Sequence, residues 1–188
     1  MSDLQHTARK ALLWLQLAFG LKQAALENLN QILSDRPDDA HALSSRAFLH
    51  CQLDDTPAAL ADYEDLAASG RAGAGDWFNL GFLHESGQRH RQAQRCFTEA
   101  LRLDDSLDRA WYGLGLALMA QNQYEQALEA FRRNTQLQPM SPHGWCQLAR
   151  VHMERQETEE VSKIIRHLRG FEPKVAAELA RETGIQPA

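Results

Sequence analysis

Histidine side chains bind metal ions and take up or release protons near neutral pH, and in this sequence histidine recurs at regular spacing. His50 and His84 are 34 residues apart, and His152 follows after twice that distance. Two interpretations are open: a metal site, or half-buried polar groups between helices. Side chains separated by whole helical hairpins cannot share one ion at about 2.1 Å, which favours the second interpretation. His84-Glu85 also lacks the histidine that a zinc protease helix needs four residues on, so we expect no metal.

Other candidates for chemistry are the cysteines and a glycine pair. Cys51, Cys96 and Cys146 are odd in number and far apart, which resembles no disulfide framework and favours a reducing compartment. The spacing of the histidines does not indicate that any of them activates one of these cysteines as a nucleophile. Gly73-x-Gly75 has no strand before it and no third glycine, so a nucleotide loop is not expected. With no acid–base pair visible, we predict no catalytic residues, no cofactor and no enzyme.

Charge narrows the class of partner. The formal net charge of the 188 residues is −5, which gives no reason to expect nucleic acid or an anionic membrane. Basic residues cluster over 89–102, where a solvated helix face and an acidic protein partner are the alternatives. No apolar run reaches the roughly 18 residues of a membrane span.

The helices that would position any site are clearest between Trp111 and Pro139. Four residues of the first half lie on one helical face, at i, i+3, i+4 and i+7. They are Trp111, Leu114, Gly115 and Leu118. After the polar turn 121–123, a second apolar stripe follows and proline ends it, because proline cannot continue a helix. That stripe holds Tyr124, Ala127, Phe131 and Asn134. Such a pair cannot bury its apolar faces alone, so the pattern predicts a series of pairs.

The series is present with a 34-residue period. Tryptophan recurs at Trp77, Trp111 and Trp145, and a leucine with a small residue after it at 80–81, 114–115 and 148–149. The second helices repeat a small or branched residue at Ala93, Ala127 and Val161, and a large apolar one at Phe97, Phe131 and Ile165. Prolines stand at Pro37, Pro139 and Pro173. This pattern resembles the tetratricopeptide repeat (TPR).

The resemblance implies an all-α fold, a right-handed α-solenoid of about five helix-turn-helix repeats that spans residues 1–188 as a single domain. The repeats are predicted at 6–39, 40–73, 74–107, 108–141 and 142–175. The first two keep the period and lose the signature, with Arg46 where the family shows leucine. A polar-sided helix over 173–183, opened by Pro173, is predicted to cap the seam. The glycine-rich segment 69–75 leaves a modest hinge open as an alternative.

Local signals predict several helix ends. Thr56-Pro57 and Ser141-Pro142 indicate an N-cap followed by proline at the first helical position. The turn of the third repeat is expected at Gly87. Residues 9–21 combine a basic pair with an apolar run and so also allow a secretory signal, although the run fits the first helix in register. We expect a cytoplasmic protein, or a periplasmic one if that segment acts as a signal.

The first helix of each repeat has a second stripe, at repeat positions 2, 5, 9 and 12. The resemblance places this stripe on the concave wall of a superhelix, where ligands of the family commonly bind. It is more apolar here than solvent exposure favours, which is typical of an interaction site. The candidate peptide-binding residues are Trp14, Phe48, Phe78, Asn79, Phe82, Tyr112, Leu116, Met119, Arg150 and Met153. The alternative is that they pack on neighbouring helices or under the C-terminal helix.

The predicted function is a non-catalytic, chaperone-like adaptor that binds an apolar or extended segment of a protein or peptide partner. A clamp for chaperone tails is not completed, since only Lys10 and Asn79 resemble it. One alternative is a self-assembling scaffold, and hence a homo-oligomer, or an assembly factor of a bacterial secretion, pilus or envelope complex. Another is the regulatory subunit of an enzyme.

Overall fold

The computed structural model describes residues 3–186, and within that range the regular secondary structure is entirely helical. Five helices reach from the start of that range to residue 86: α1 (Asp3–Ala18), α2 (Lys22–Asp35), α3 (Ala40–Gln52), α4 (Thr56–Ala68) and α5 (Ala74–Ser86). Six follow: α6 (His90–Leu103), α7 (Asp108–Met119), α8 (Tyr124–Leu137), α9 (Pro142–Glu154), α10 (Thr158–Arg169) and α11 (Pro173–Thr183). The predicted helix pairs and the predicted terminal helix are all present.

The chain divides into two compact units, Met1–Leu83 and His84–Ala188, and each is considered separately below. The boundary falls inside α5, after the glycine-rich segment that was considered as a hinge. The assignment of all residues to a single domain with five repeat boundaries stays a prediction.

The first unit comprises α1 to α4 and most of α5, packed around an apolar seam. Leu29, Ile32, Leu49 and Leu66 are almost completely buried there. Arg46 lies on the same seam, where its guanidinium donates to both carboxylate oxygens of Asp62 at 2.8 and 2.6 Å. The hydrogen bonds to Asp62 are the largest cause of a raised pKa at Arg46. A bidentate ion pair therefore occupies a position at which the repeat family shows leucine.

The second unit closes around two buried phenylalanines, Phe97 and Phe131. The signature glycine Gly115 packs directly against one of them: a Cβ at this position would lie 2.6 Å from Cε1 of Phe131. At Gly113 a Cβ would lie 2.5 Å from Cζ of Phe97, which belongs to the preceding helix pair. The Phe97 ring on α6 and the Phe131 ring on α8 thus fill the space that side chains at Gly113 and Gly115 of α7 would need.

Helix α11 ends the second unit as the sequence predicted. Its buried side is apolar, formed by Ala176, Leu179 and Ala180. Its exposed side carries Lys174 and Arg181 among other polar residues, which suits a terminal cap.

The turn inside each helix pair uses a left-handed residue at the same repeat position. These residues are Gly20, Asp54, Gln88, Asn122 and Gln156, with φ between 56° and 68°. The next residue donates its N–H to the carbonyl five positions earlier, as Asp55 does to His50 at 2.9 Å and Gln123 to Leu118 at 2.9 Å. This is the Schellman arrangement, which satisfies carbonyls at the end of the first helix.

One detail of the predicted helix ends is wrong. The N-cap of α4 is Asp55, which accepts from the N–H of Ala58 at 3.2 Å, so Thr56 is already helical. Ser141 is the N-cap residue of α9 and Pro142 begins the helix, as predicted, although the Ser141 side chain makes no capping hydrogen bond. The turn of the third pair lies at Gly87 as predicted, and its left-handed residue is the next one, Gln88.

Candidate functional site

A cavity of about 570 Å³ opens in the second unit between the inner sides of α7 and α9. Its lining is Glu85, Leu116, Met119, Ala120, Tyr124, Arg150, Met153, Glu154, Glu182 and Thr183. Four of the ten candidate binding residues therefore meet here, and they are Leu116, Met119, Arg150 and Met153. The helical spacing that selected these residues places them together because α7 and α9 are consecutive first helices of their pairs.

One wall of this cavity is closed by a forked ion pair. Arg150 donates from Nε to Glu182 Oε1 at 2.7 Å and from Nη2 to Oε2 at 3.0 Å. The pair lowers the pKa of Glu182 and raises that of Arg150, chiefly through these hydrogen bonds. Because Glu182 lies on α11, the terminal helix covers part of the predicted wall, as the alternative interpretation allowed.

Tyr112 does not reach this cavity. Its ring meets Phe131 edge-on, with centroids 5.8 Å apart, and its hydroxyl accepts from Gln147 Nε2 at 3.2 Å. The half-buried ring lines a separate cavity of about 260 Å³ beside Arg109 and His143. Tyr112 therefore has a structural contact in addition to the binding role predicted for it.

In the first unit, the candidate residues on α1 and α3 are well exposed. The side chain of Trp14 is 69% exposed, and that of Phe48 is 51% exposed. Phe48 and Leu17 line a cavity of about 260 Å³ that Lys22 and Gln52 also border. Both aromatic rings are thus exposed, and their role in binding a partner stays a prediction.

The remaining three candidates lie on α5 in the first unit. Phe82 is 59% exposed and Phe78 is half-buried. The amide of Asn79 donates to the hydroxyl of the buried Tyr63 at 2.9 Å, and burial raises the pKa of that tyrosine. Asn79 is consequently held by the fold, and a ligand would have to replace Tyr63 to use it.

Two of the recurrent histidines lie close to carboxylates in the turns that follow their helices. His50 Nδ1 lies 3.4 Å from Asp55 Oδ2, and His152 Nδ1 lies 2.6 Å from Glu157 Oε2. Hydrogen bonds from Arg155 and then from His152 hold the pKa of Glu157 at about 2. No group of three or more metal-binding side chains occurs among residues 3–186. These pairs brace the turns that follow α3 and α9.

The acidic and polar part of the cavity lining was missed in the choice of candidates. Glu85 occupies position 12 of the stripe and could have been selected, but the choice favoured apolar residues. Glu154 lies one position after Met153, outside the stripe. Tyr124 begins α8, and its place on the apolar stripe of that helix indicated packing rather than binding. Glu182 belongs to the terminal helix, which lies outside the 34-residue period.

No helix in the part of the chain that the structure describes is long and apolar enough to cross a membrane.

Comparisons with known proteins agree with this architecture. A sequence model of the tetratricopeptide repeat matches residues 78–159. No curated protein matches the chain significantly in sequence. Among solved structures, MamA from Desulfovibrio magneticus RS-1 is similar over 97% of this chain and 98% of its own, at 19% identity and a TM-score of 0.77.

Two further structures share the fold. YrrB, described as a TPR protein with an unusual peptide-binding site, is 15% identical and has a TM-score of 0.82, covering 90% of this chain and 88% of its own. PilF of Pseudomonas aeruginosa is 21% identical and has a TM-score of 0.69, covering 96% and 90%. At these identities the likeness defines the class: an all-α solenoid of stacked helix pairs. The sequence model adds that residues 78–159, slightly less than half of the chain, match the tetratricopeptide repeat.

Proposed function

We propose that this protein is a non-catalytic interaction module that binds an apolar, extended segment of a partner protein, with the cavity of the second unit as its principal site. The convergence of Leu116, Met119 and Met153 in one cavity carries this proposal. A volume of about 570 Å³ lies within the range of ligand sites, which is roughly 300–1,000 Å³. Unbranched methionine side chains suit a site that accepts apolar groups of varied shape.

The energetics are compatible with a reversible interaction. Each large apolar side chain that a partner buries contributes roughly 1.5–3 kcal/mol. Three or four such contacts reach micromolar affinity, about −8 kcal/mol, when the cost of ordering the segment is modest. Trp14, Phe48, Phe78 and Phe82 would supply further contacts in the first unit. Tyr112 would supply a polar contact, and Asn79 would do so only for a ligand that replaces its Tyr63 hydrogen bond.

A peptide selection on the full-length chain tests this function. Random dodecapeptides displayed on phage are selected against the immobilised protein, and the enriched peptides are then measured by fluorescence anisotropy. Met119→Ser with Met153→Ser should weaken their binding at least tenfold, because the apolar floor of the cavity is lost. Met140→Ser is the matched control, since Met140 is 66% exposed and lies outside the cavity. If no peptide is enriched, or if the double variant binds as the control does, the proposal is wrong.

A second function, self-association, is favoured by the outer side of α1. Ala8, Ala11, Leu12, Leu15 and Ala18 are all exposed there, and between residues 6 and 18 this side carries no charged side chain. One repeat further on, the residue equivalent to Leu15 is Leu49, which is 2% exposed, whereas Leu15 is 45% exposed.

The contacts of later repeats indicate what this side of α1 is shaped to receive. Ala11 corresponds to Gly113, whose neighbour is Phe97 on the preceding helix α6. The α1 side is therefore built to pack against a helix. We propose that a second copy of α1 supplies that helix around a twofold axis, which an uncharged surface permits without like-charge repulsion.

Sedimentation velocity across a range of concentrations tests the self-association. The chain should form dimers, and Leu15→Glu should shift it to monomers. Leu103→Glu, at a side chain that is also 45% exposed but on α6, should leave the dimer intact. A chain that is monomeric at all concentrations, or a dimer insensitive to Leu15→Glu, rules this function out. The assembly-factor hypothesis stays a prediction.

A further inference from the structure

The cavity of the second unit, called the α7–α9 cavity below, has an apolar floor and an acidic rim. Leu116, Met119, Ala120 and Met153 form the floor, with the Tyr124 ring at one side. The charged lining residues are three carboxylates and one guanidinium: Glu85, Glu154, Glu182 and Arg150. Their formal sum is −2.

The one cation of the lining is already matched within the protein. Arg150 gives both of its forked N–H groups to Glu182, at 2.7 and 3.0 Å. Forked pairs of this kind are among the stronger charge-assisted hydrogen bonds. The ion pair neutralises both partners, so the charge that a ligand would meet is that of Glu85 and Glu154.

The two remaining carboxylates are positioned by neutral or weakly basic groups. Glu85 Oε2 lies 3.0 Å from Nδ1 of His90, and the carboxylate is about four-fifths buried, with 22% of its side chain exposed. Glu154 Oε2 lies 3.5 Å from the Tyr124 hydroxyl, which donates to Asn122 Oδ1 at 3.0 Å. Neither carboxylate has a lysine or arginine among these contacts.

We propose that the α7–α9 cavity selects a lysine or arginine side chain in an otherwise apolar segment of the partner protein. Long basic side chains lay their methylene stems on apolar surface and keep the charged head at a polar edge. Here the stem would lie along Met119 and Met153, and the head would meet Glu85 and Glu154. The cavity is larger than one side chain, so a neighbouring apolar residue of the segment would enter with it. This inference rests on the proposed peptide-binding function and names the chemistry of the peptide.

The selection of dodecapeptides separates this inference from the function it rests on. Peptides enriched on the full-length chain should contain a basic residue beside apolar ones. Replacement of that residue by norleucine, which keeps the stem and removes the charge, should weaken binding about threefold to tenfold. The difference should shrink as salt is raised, because screening weakens charge pairs at a partly exposed rim.

Matched protein variants complete the test. Glu85→Gln with Glu154→Gln should reduce the preference for the basic peptide over its norleucine form by about the same factor. Glu99→Gln with Glu129→Gln removes the same charge on α6 and α8 outside the cavity and should leave that preference unchanged. If the enriched peptides are neutral or acidic, or if both double variants behave alike, the basic-residue inference is wrong while peptide binding stands. If no peptide binds, both proposals are wrong.

Discussion

Gly115→Ala tests the packing that holds the helix pairs together. The added Cβ would lie 2.6, 2.7 and 2.8 Å from three ring atoms of Phe131, whose side chain is 0% exposed. Carbon atoms in good contact lie about 3.5–4.0 Å apart, so the ring must move by roughly 1 Å in a close-packed core. Overpacking of this kind costs about 1–3 kcal/mol, and the better helix propensity of alanine returns roughly 0.5–1 kcal/mol. We expect a net loss of about 1–2 kcal/mol in the free energy of unfolding.

Urea unfolding followed by circular dichroism measures this change. Gly75→Ala is the control, since a Cβ there meets nothing within 4 Å, and it should leave stability unchanged or raise it. Adding Phe131→Leu to Gly115→Ala should cost less than the sum of the two single changes, because the smaller side chain leaves room for the methyl group. If Gly115→Ala is as stable as the wild-type chain, the packing account of the signature glycine fails.

Two further predictions concern the turns. Gln88→Gly should raise the free energy of unfolding in urea by about 0.5–1 kcal/mol, because Gln88 has φ 56° and a left-handed backbone costs residues other than glycine about 1–2 kcal/mol. The reverse change at the equivalent position, Gly20→Gln, should lower the free energy of unfolding. Equal stability of both variants and the wild-type chain would contradict the backbone strain at this position. Glu157→Gln should lower the urea midpoint at pH 7, since hydrogen bonds from Arg155 and His152 hold the pKa of Glu157 at about 2 against an ordinary 4.5. A carboxyl group whose pKa is lower in the folded than in the unfolded state stabilises the fold at pH values above its unfolded pKa, and this contribution is lost as pH falls. The difference in urea midpoint between Glu157→Gln and the wild-type chain should therefore vanish as pH falls from about 4.5 towards 2. A difference that does not depend on pH would refute this role of Glu157.

The helices could be predicted because their apolar residues recur at a helical spacing and again every 34 residues. The left-handed residue within each turn could not be predicted, because aspartate, glutamine and asparagine take this conformation at Asp54, Gln88 and Asn122. Glycine is the residue that usually indicates the left-handed conformation, and of these five turns only the first has a glycine at this position, Gly20. The pairing of Arg46 with Asp62 across two helices was also beyond the sequence, since it depends on a tertiary contact.

The candidate site was predictable where one helical stripe supplies it. Leu116 and Met119 share such a stripe on α7, and Arg150 and Met153 share the equivalent stripe on α9, so spacing alone brought them to one cavity. The contribution of Glu182 depends on how α11 packs, which has no counterpart in the repeat pattern. The acidic character of the cavity became visible only when these elements were seen together.

Binding inside the α7–α9 cavity is tested most directly by NMR of the chain labelled with ¹³C at its four methionine methyl groups. Met119 and Met153 line the cavity, whereas Met140 is exposed and lies outside it. Titration with a selected basic peptide should shift the Met119 and Met153 signals together and leave the Met140 signal in place. A peptide that saturates the protein by anisotropy but leaves both cavity signals unmoved would contradict the proposed site.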